Sequence, residues 1–122
     1  GDKLEFKNIE ALFSDKKADR KDAVFQTFLY AKFYKDLKKP NQAITPGVYS
    51  VRKIFDNNFD YRIKQKENKT TSAINNYDDV AEEYFENLNR LIHSIFDPEK
   101  DFTQTEEIRN CEYCEFKKIC HR

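Results

Sequence analysis

The segment AVFQTFLYAKFYKDL, residues 23–37, is apolar around most of a helical circumference. Only a thin polar stripe interrupts it, formed by Lys32, Lys35 and Asp36. A helix at the surface of a domain normally carries one apolar face and one polar face. The segment therefore predicts a long helix that is covered on more than one side, and the rest of the chain is expected to fold around it.

Two polar groups lie within the apolar part of this helix. Gln26 and Tyr30 are four residues apart, so their side chains share one helical face. A buried amide beside a phenol needs hydrogen-bond partners. The pair is therefore either bonded inside the core or exposed to a functional site. The plainer alternative is a satisfied polar group at Gln26 and a packing role for Tyr30.

The composition indicates one small domain, residues 1–122, with balanced charge. The 122 residues include 22 basic and 22 acidic side chains, so no overall field attracts nucleic acid and any DNA contact must be local. No apolar run is long enough to span a membrane and no signal peptide is visible, so we expect a cytoplasmic protein without a membrane contact. Because the chain contains no Met, we expect it to be processed or cut from a longer protein.

Two further helices are predicted from capping residues and periodicity. Asn8 can cap a short helix over residues 9–13. Asn76 can cap a second long helix over residues 77–96, whose apolar side chains recur at helical spacing on one face. The long helix over residues 23–37 is expected to stop before a proline at position 40.

A β-hairpin is predicted between the two long helices. Residues 48–55 are rich in β-branched and aromatic side chains, and residues 59–65 alternate between apolar and polar. With a turn at residues 56–58, they should pair as antiparallel strands with one solvated face. Residues 66–76 are predicted to form a mobile polar loop. The chain is thus expected to be α+β, with two long helices and a β-hairpin.

Residues 110–122 form a tail that carries all three cysteines. Cys111, Cys114 and Cys120 have the spacing C-x2-C-x5-C, and His121 follows directly. An odd number of clustered cysteines argues against a disulfide framework, and a C-x2-C pair can place two thiolates on one metal centre. Three alternatives remain open: a zinc site completed by His121, an iron–sulfur cluster whose fourth ligand lies elsewhere in a longer protein, or free thiols.

Two motifs of this chain together resemble a known family. Gln26-Thr27-Phe28-Leu29-Tyr30 resembles the Gln-x-x-x-Tyr motif of RecB-family nucleases in the PD-(D/E)XK superfamily. The tail, NCEYCEFKKICHR, resembles the C-terminal cysteine signature of AddB-type members, in which three closely spaced cysteines join a distant upstream cysteine around a [4Fe–4S] cluster. The order of elements also agrees, and the resemblance covers almost the whole chain. It implies an α/β fold of the restriction-endonuclease type, present here in incomplete form.

The resemblance also implies an activity and its partners. The intact protein would be a Mg²⁺-dependent DNA exonuclease that acts with a helicase/nuclease partner subunit in double-strand break repair. Gln26 and Tyr30 would border its active site and either contact the DNA strand or orient catalytic groups, and Cys111, Cys114 and Cys120 would be cluster ligands. In this family an Asp and an (Asp/Glu)-x-Lys triplet precede the Gln-x-x-x-Tyr helix, where acidic residues hold Mg²⁺ and Lys helps to position the attacking water.

The main catalytic residues of that family are expected to be missing from this chain. Glu5-Phe6-Lys7 matches Glu-x-Lys, but only four residues precede it, and Asp2 is too close to be its partner. No apolar strand surrounds the triplet, so we interpret it as a chance match. Asp60-Tyr61-Arg62 follows the helix and carries Arg in place of Lys. We therefore expect the C-terminal portion of a nuclease domain, inactive alone and without a bound cofactor.

A second function class remains open. The chain could instead be a small zinc-binding or protein-interaction module, with the tail as the zinc site and the aromatic helices as a partner surface. Iron absorbance in a longer protein that is lost in Cys114→Ser would favour the nuclease, whereas stoichiometric zinc in the 122-residue chain would favour the module. Because one hairpin cannot cover both apolar sides of the helix over residues 23–37, we also expect self-association or an exposed apolar patch.

Overall fold

The computed structural model describes residues 4–16 and 18–121. Within them the chain forms two long helices, three short strands and two short 3₁₀ helices. In chain order these are β1 (Glu5–Phe6), a first 3₁₀ helix (Glu10–Phe13), α1 (Asp22–Lys38), β2 (Lys64–Glu67), β3 (Thr70–Ala73), α2 (Asp78–Ile95) and a second 3₁₀ helix (Ile108–Cys111). None of the helices in the described part of the chain is long and apolar enough to cross a membrane.

The three strands form one mixed sheet in the order β1-β2-β3. β1 runs parallel to β2, with Glu5 opposite Lys64 and Phe6 opposite Gln65. Parallel neighbours require a long crossover connection, and α1 lies within that connection. β2 and β3 are antiparallel neighbours joined by a two-residue turn, so the chain has the α+β composition that its sequence predicts.

An aromatic core lies where the sheet and the two long helices meet. α1 buries Val24, Phe28 and Ala31 on one face, and α2 buries Val80 and Tyr84. The Phe28 ring makes edge contacts with Phe6 of β1, centroid to centroid 5.6 Å, and with Tyr84, also 5.6 Å. Because such edge-to-face pairs add to the energy of burial, Phe28 joins the strand, the first helix and the second helix.

Both predicted helix caps are confirmed. The Ala11 N–H donates to Asn8 Oδ1 at 2.9 Å, and the Asp78 N–H donates to Asn76 Oδ1 at 3.2 Å. These side chains satisfy backbone donors that have no partner within the first helical turn. At its other end α1 stops where Lys39 adopts a left-handed φ of 46°, one residue before the proline that the sequence marks as a stop.

The predicted hairpin is wrong in its position. The observed hairpin pairs β2 with β3, so residues expected to form a mobile loop supply a strand. Within residues 48–55 the chain forms turns and no strand; the isolated bridge between Gly47 and Arg62 lies directly before this segment. Residues of high β-propensity stabilise a strand only where their side chains pack against neighbours. Side chains of this segment lack such neighbours: Phe55, for example, is 93% exposed. The tight turn that was missed contains Asn68, at a left-handed φ of 53°.

The prediction that α1 is covered on more than one side is also wrong for the described residues. Its buried residues lie on a single face. On the opposite face four large side chains, Tyr30, Phe33, Tyr34 and Leu37, have exposed fractions of 52% to 79%. They recur at intervals of three and four residues, so they form one continuous stripe, which we call the outer stripe of α1.

Candidate active site

The first two residues of the Glu5-Phe6-Lys7 triplet form β1, and Lys7 follows directly in a bend. Leu4 and Phe6 are 9% and 2% exposed, and both belong to the core. Since successive side chains of a strand point to opposite faces, the burial of Phe6 against α1 directs Glu5 to the other face of the sheet. The expectation that no apolar strand surrounds this triplet is therefore wrong. Its signal was the alternation of Leu4 and Phe6, which was too short to be distinguished from a loop.

Charged side chains gather beside this strand. A cavity of about 210 Å³ is lined by Glu5, Lys7, Asp19, Lys21 and Lys66, together with two uncharged residues. Three of these five side chains are cationic, so the cavity favours an anionic group such as a phosphate. It has the residue types that phosphodiester chemistry requires: a carboxylate for a metal ion, and lysines for the phosphate and the attacking water.

Lys7 is held at the edge of this cavity by two contacts. Its Nζ lies 3.4 Å from Asp19 Oδ1, and its carbonyl oxygen accepts a bond of 3.4 Å from Gln65 Nε2. The ion pair is largely exposed, because 76% of the Lys7 side chain is accessible to solvent. Exposed pairs of this kind contribute little to stability, so the Lys7 ammonium is available to a substrate.

Gln26 and Tyr30 lie on the outer surface of α1. Gln26 is exposed and its side chain makes no hydrogen bond to any residue that the structure describes, and Tyr30 is 62% exposed. The interpretation in which they bond to each other inside the core is therefore wrong. The two side chains share one helical face, as their spacing requires, but they do not line the cavity of Glu5 and Lys7. Lys21, the residue directly before α1, lines the cavity of Glu5 and Lys7, so the N-terminal end of the helix lies beside that cavity.

The second acidic motif, at residues 60–62, is part of the framework. Asp60 Oδ1 accepts from Arg62 Nε at 3.0 Å, and Asp60 Oδ2 accepts from Arg62 Nη2 at 3.0 Å. These hydrogen bonds hold the pKa of Asp60 well below its usual value, and they raise the pKa of Arg62. Arg62 Nη1 also donates to Asn75 Oδ1 at 3.0 Å. The Asp60 carboxylate and the Arg62 guanidinium are thus bonded to groups of the chain itself. The motif therefore stabilises the backbone just before β2 and does not bind a substrate.

The cysteine tail is folded back onto the first part of the chain. Asn110 Nδ2 donates to the Asp15 carbonyl oxygen at 3.1 Å. Cys111, Cys114 and Cys120 are all half-buried free thiols. No group of three or more His, Cys, Asp or Glu within residues 4–16 and 18–121 is arranged to hold a metal ion. In this arrangement the three thiols therefore do not form the coordination shell of an iron–sulfur or zinc centre.

A larger groove of about 810 Å³ lies between the first 3₁₀ helix and the end of α2. His93 lines it and is exposed on α2. The charged residues around it have both signs, among them Arg90, Asp97 and Lys100. Its charged lining is mainly acidic, with Glu10, Asp15, Asp19 and Asp97 against Arg90 and Lys100, so the groove suits a phosphate less well than the cavity beside β1 does.

Comparison with known proteins identifies the superfamily of the chain. No curated protein and no solved structure gives a significant match to the chain. The two helices and the three-stranded mixed sheet are consistent with a restriction-endonuclease-like fold. The model of the PD-(D/E)XK nuclease superfamily matches residues 4–121, and the chain therefore belongs to that superfamily.

Proposed function

We propose that this chain contributes the active-site strand of a Mg²⁺-dependent DNA nuclease. One observation carries the proposal: a Glu-x-Lys triplet that begins on β1 is followed by a helix with Gln26 and Tyr30 and then by β2, parallel to β1. The family places its triplet before its Gln-x-x-x-Tyr helix in the same order. The triplet that we interpreted from the sequence as a chance match is thus our candidate for the catalytic one.

Each residue of the site has a role that fits its position. The Glu5 carboxylate, on the face of the sheet away from α1, would be a ligand of Mg²⁺. Lys7 would orient the attacking water and stabilise the negative charge that develops on the phosphate. Gln26 and Tyr30, both exposed on α1, would contact the DNA strand by hydrogen bonding and by stacking.

A site with few protein ligands suits this metal. Mg²⁺ is usually held by one or two carboxylates together with water and substrate phosphates. Glu5 supplies one such ligand, and the lysines of the same cavity offer contacts for a phosphate. When bound, the ion would polarise the phosphoryl oxygen and lower the pKa of a bound water. The side chains of the cavity would hold the phosphate in the orientation that the attacking water requires.

We further propose a larger context for this activity. The chain would be part of a RecB-like, AddB-type cytoplasmic helicase/nuclease that degrades DNA ends exonucleolytically in double-strand break repair. The 122-residue chain by itself would have little activity, because the remaining acidic ligand of the metal would come from the longer protein. The exposed outer stripe of α1 offers a surface for the remainder of such an assembly or for its partner subunit.

The test is cleavage of 5′-labelled linear DNA by the intact nuclease that carries this chain. Glu5→Gln and Lys7→Ala should each lower the Mg²⁺-dependent rate by a hundredfold or more, on the order expected for a metal ligand or a charge-stabilising group. Glu86→Gln, which changes an exposed carboxylate of α2, is the matched control and should leave the rate unchanged. Cleavage that survives in Glu5→Gln would refute the assignment of the triplet.

The tail is the subject of a separate proposal, that it binds a [4Fe–4S] cluster in the intact protein. The link from Asn110 to Asp15 supports a tail that fastens the C-terminal residues to the N-terminal side of the domain. Because the three thiols are not grouped, cluster binding would require the turns of the tail to rearrange. Iron absorbance that is lost in Cys114→Ser would support the cluster. Stoichiometric zinc in the 122-residue chain would support the alternative zinc module.

A further inference from the structure

The segment over residues 48–60 is a projecting loop with a firm base, here called the 48–60 loop. At its base the Val48 N–H donates to the Tyr61 carbonyl oxygen at 2.8 Å. The rings of Tyr49 and Tyr61 stack in parallel, with centroids 4.9 Å apart and an interplanar angle of 11°. The chain beyond this base makes three consecutive turns closed by backbone hydrogen bonds of 2.9 Å each. The loop therefore holds a defined shape without a strand partner.

The tip of the 48–60 loop presents apolar side chains to solvent. Phe55 is 93% exposed, Val51 is 85% exposed and Ile54 is 47% exposed. Large apolar groups that are clustered and exposed mark a binding surface rather than a part of the core. A nearly free phenyl ring is also a flat surface on which a nucleic-acid base can stack.

The same tip carries cations that are not neutralised by the described residues. Arg52 and Lys53 lie between Val51 and Ile54 in the sequence, and neither side chain has a hydrogen bond or ion pair with any residue in 4–16 or 18–121. Asp56, the acidic residue of the tip, accepts a backbone hydrogen bond from Asn58 at 3.1 Å. An exposed ring beside two free cations matches the base and the phosphates of an unpaired strand.

The outer stripe of α1 differs in this respect. Its aromatic side chains are also exposed, but two of the three lysines of that helix are occupied: Lys32 pairs with Asp36 at 2.9 Å, and Lys35 pairs with Asp78. Lys38, the last residue of the helix, is exposed. Charge complementarity to DNA is therefore a property of the 48–60 loop, whereas the outer stripe is suited to an apolar partner.

The loop stands next to the candidate catalytic strand. Together with Leu4 and Ala23 it encloses a cavity of about 570 Å³, to which Arg52 and Lys53 contribute. Leu4 immediately precedes Glu5, and Ala23 lies in the first turn of α1, one turn before Gln26. The cavity thus places Arg52 and Lys53 beside the residue that precedes Glu5.

We propose that the 48–60 loop binds unpaired DNA beside the active site, with Phe55 stacked on a base and with Arg52 and Lys53 on the flanking phosphates. This inference rests on the proposed nuclease function and assigns it a strand-binding surface. The loop would select single-stranded ends, because a base is available for stacking on Phe55 only when it is not paired within a duplex.

The test is binding of a 5′-labelled single strand and of the corresponding blunt duplex, measured by fluorescence anisotropy in EDTA so that no cleavage is involved. Wild type should bind the single strand more tightly. Phe55→Ala should weaken single-strand binding at least about fivefold, the lower bound for one stacked base, and should change duplex binding little. Phe55→Trp should restore it, and Phe33→Ala, which removes an exposed ring of the outer stripe, should have no effect.

The cations are tested by the salt dependence of the same binding. Two phosphate contacts to a single strand contribute about 1.4 to the slope of log K against log salt concentration. Arg52→Ala combined with Lys53→Ala should reduce the slope by this amount. The control is Lys38→Ala combined with Lys39→Ala, which removes the same charge at the other end of α1, roughly 22 Å from Ala23 at 1.5 Å per residue.

Two results would overturn the loop proposal: binding that is unaffected by both loop variants, or wild-type protein that binds no single strand. Neither result bears on the catalytic assignment, because that assignment is decided by cleavage in Glu5→Gln. Conversely, if Glu5→Gln still cleaves while Phe55→Ala loses binding, the loop proposal stands and the catalytic one fails.

Discussion

Two buried tyrosines of the core differ in the hydrogen bonding of their hydroxyl groups, and this difference predicts opposite effects of the same substitution. Tyr77 and Tyr84 are 1% and 0% exposed, and both rings contact Phe28. The Tyr84 hydroxyl donates to the Phe25 carbonyl oxygen at 2.9 Å. The Tyr77 hydroxyl is buried and has no hydrogen-bond partner among the residues that the structure describes. Replacement of each residue by Phe removes the hydroxyl and keeps the ring.

The two substitutions should therefore change the free energy of unfolding in opposite directions. Tyr84→Phe removes one intramolecular hydrogen bond, whose net worth is about 1 kcal/mol. Tyr77→Phe removes a buried donor without a partner, and relief of its desolvation should stabilise the protein by about 1 kcal/mol. The variants should thus differ by about 2 kcal/mol, or roughly 8 °C in Tm for a domain of this size.

The assay is urea unfolding of wild type and both variants at equal protein concentration, with the slope m required to be the same in all three. Tyr77→Phe should have the higher midpoint and Tyr84→Phe the lower. The reasoning is refuted if Tyr77→Phe destabilises the protein as much as Tyr84→Phe, because the Tyr77 hydroxyl would then have a favourable partner.

Alkaline pH provides an independent measurement on Tyr77. Burial, with the nearby carboxylates of Asp36 and Asp78, raises the pKa of Tyr77 from 10.0 to about 12. Its neutral form is favoured in the folded state, so this contribution to stability is complete below pH 10 and is lost as the pH rises through 12. Tyr77→Phe should therefore lose less stability than wild type over this range.

Three further predictions concern the loop base, acid stability and association. Gly47→Ala should lower Tm and destabilise the chain by about 1 kcal/mol or more, since an added Cβ would lie 2.5 Å from Tyr61 Cδ2 and 2.8 Å from Tyr61 O; an unchanged melting curve would contradict this close approach. Arg62 lowers the pKa of Asp60, so this carboxylate stabilises the fold at neutral pH and the gain is lost in acid. Asp60→Asn should show a smaller loss of stability below about pH 4 than wild type, and identical acid profiles would contradict it. Leu37→Glu, at a position 79% exposed, should reduce self-association in sedimentation equilibrium; equal mass distributions for variant and wild type would rule out the outer stripe as the contact.

The candidate site was only partly predictable from the sequence. The spacing of Gln26 and Tyr30 requires one shared helical face, and the structure has both side chains exposed on it. The roles of Glu5 and Lys7 depend on where β1 pairs, and a two-residue strand has too few alternating positions to be recognised. The grouping of Lys66 and Asp19 with this strand depends on contacts between distant parts of the chain, which no local pattern contains.

The two long helices were determined by the sequence alone, because their hydrogen bonds join residues four apart and their caps are adjacent side chains. The predicted ranges, 23–37 and 77–96, differ by one residue at each end from Asp22–Lys38 and Asp78–Ile95. The tertiary structure alone decided the strands. β1 pairs with a strand that begins at Lys64, and an alternating segment fits many partners and registers equally well. β2 and β3 bury none of their own side chains, and their position was decided by the flanking residues Ile63 and Ile74, which lie in the core.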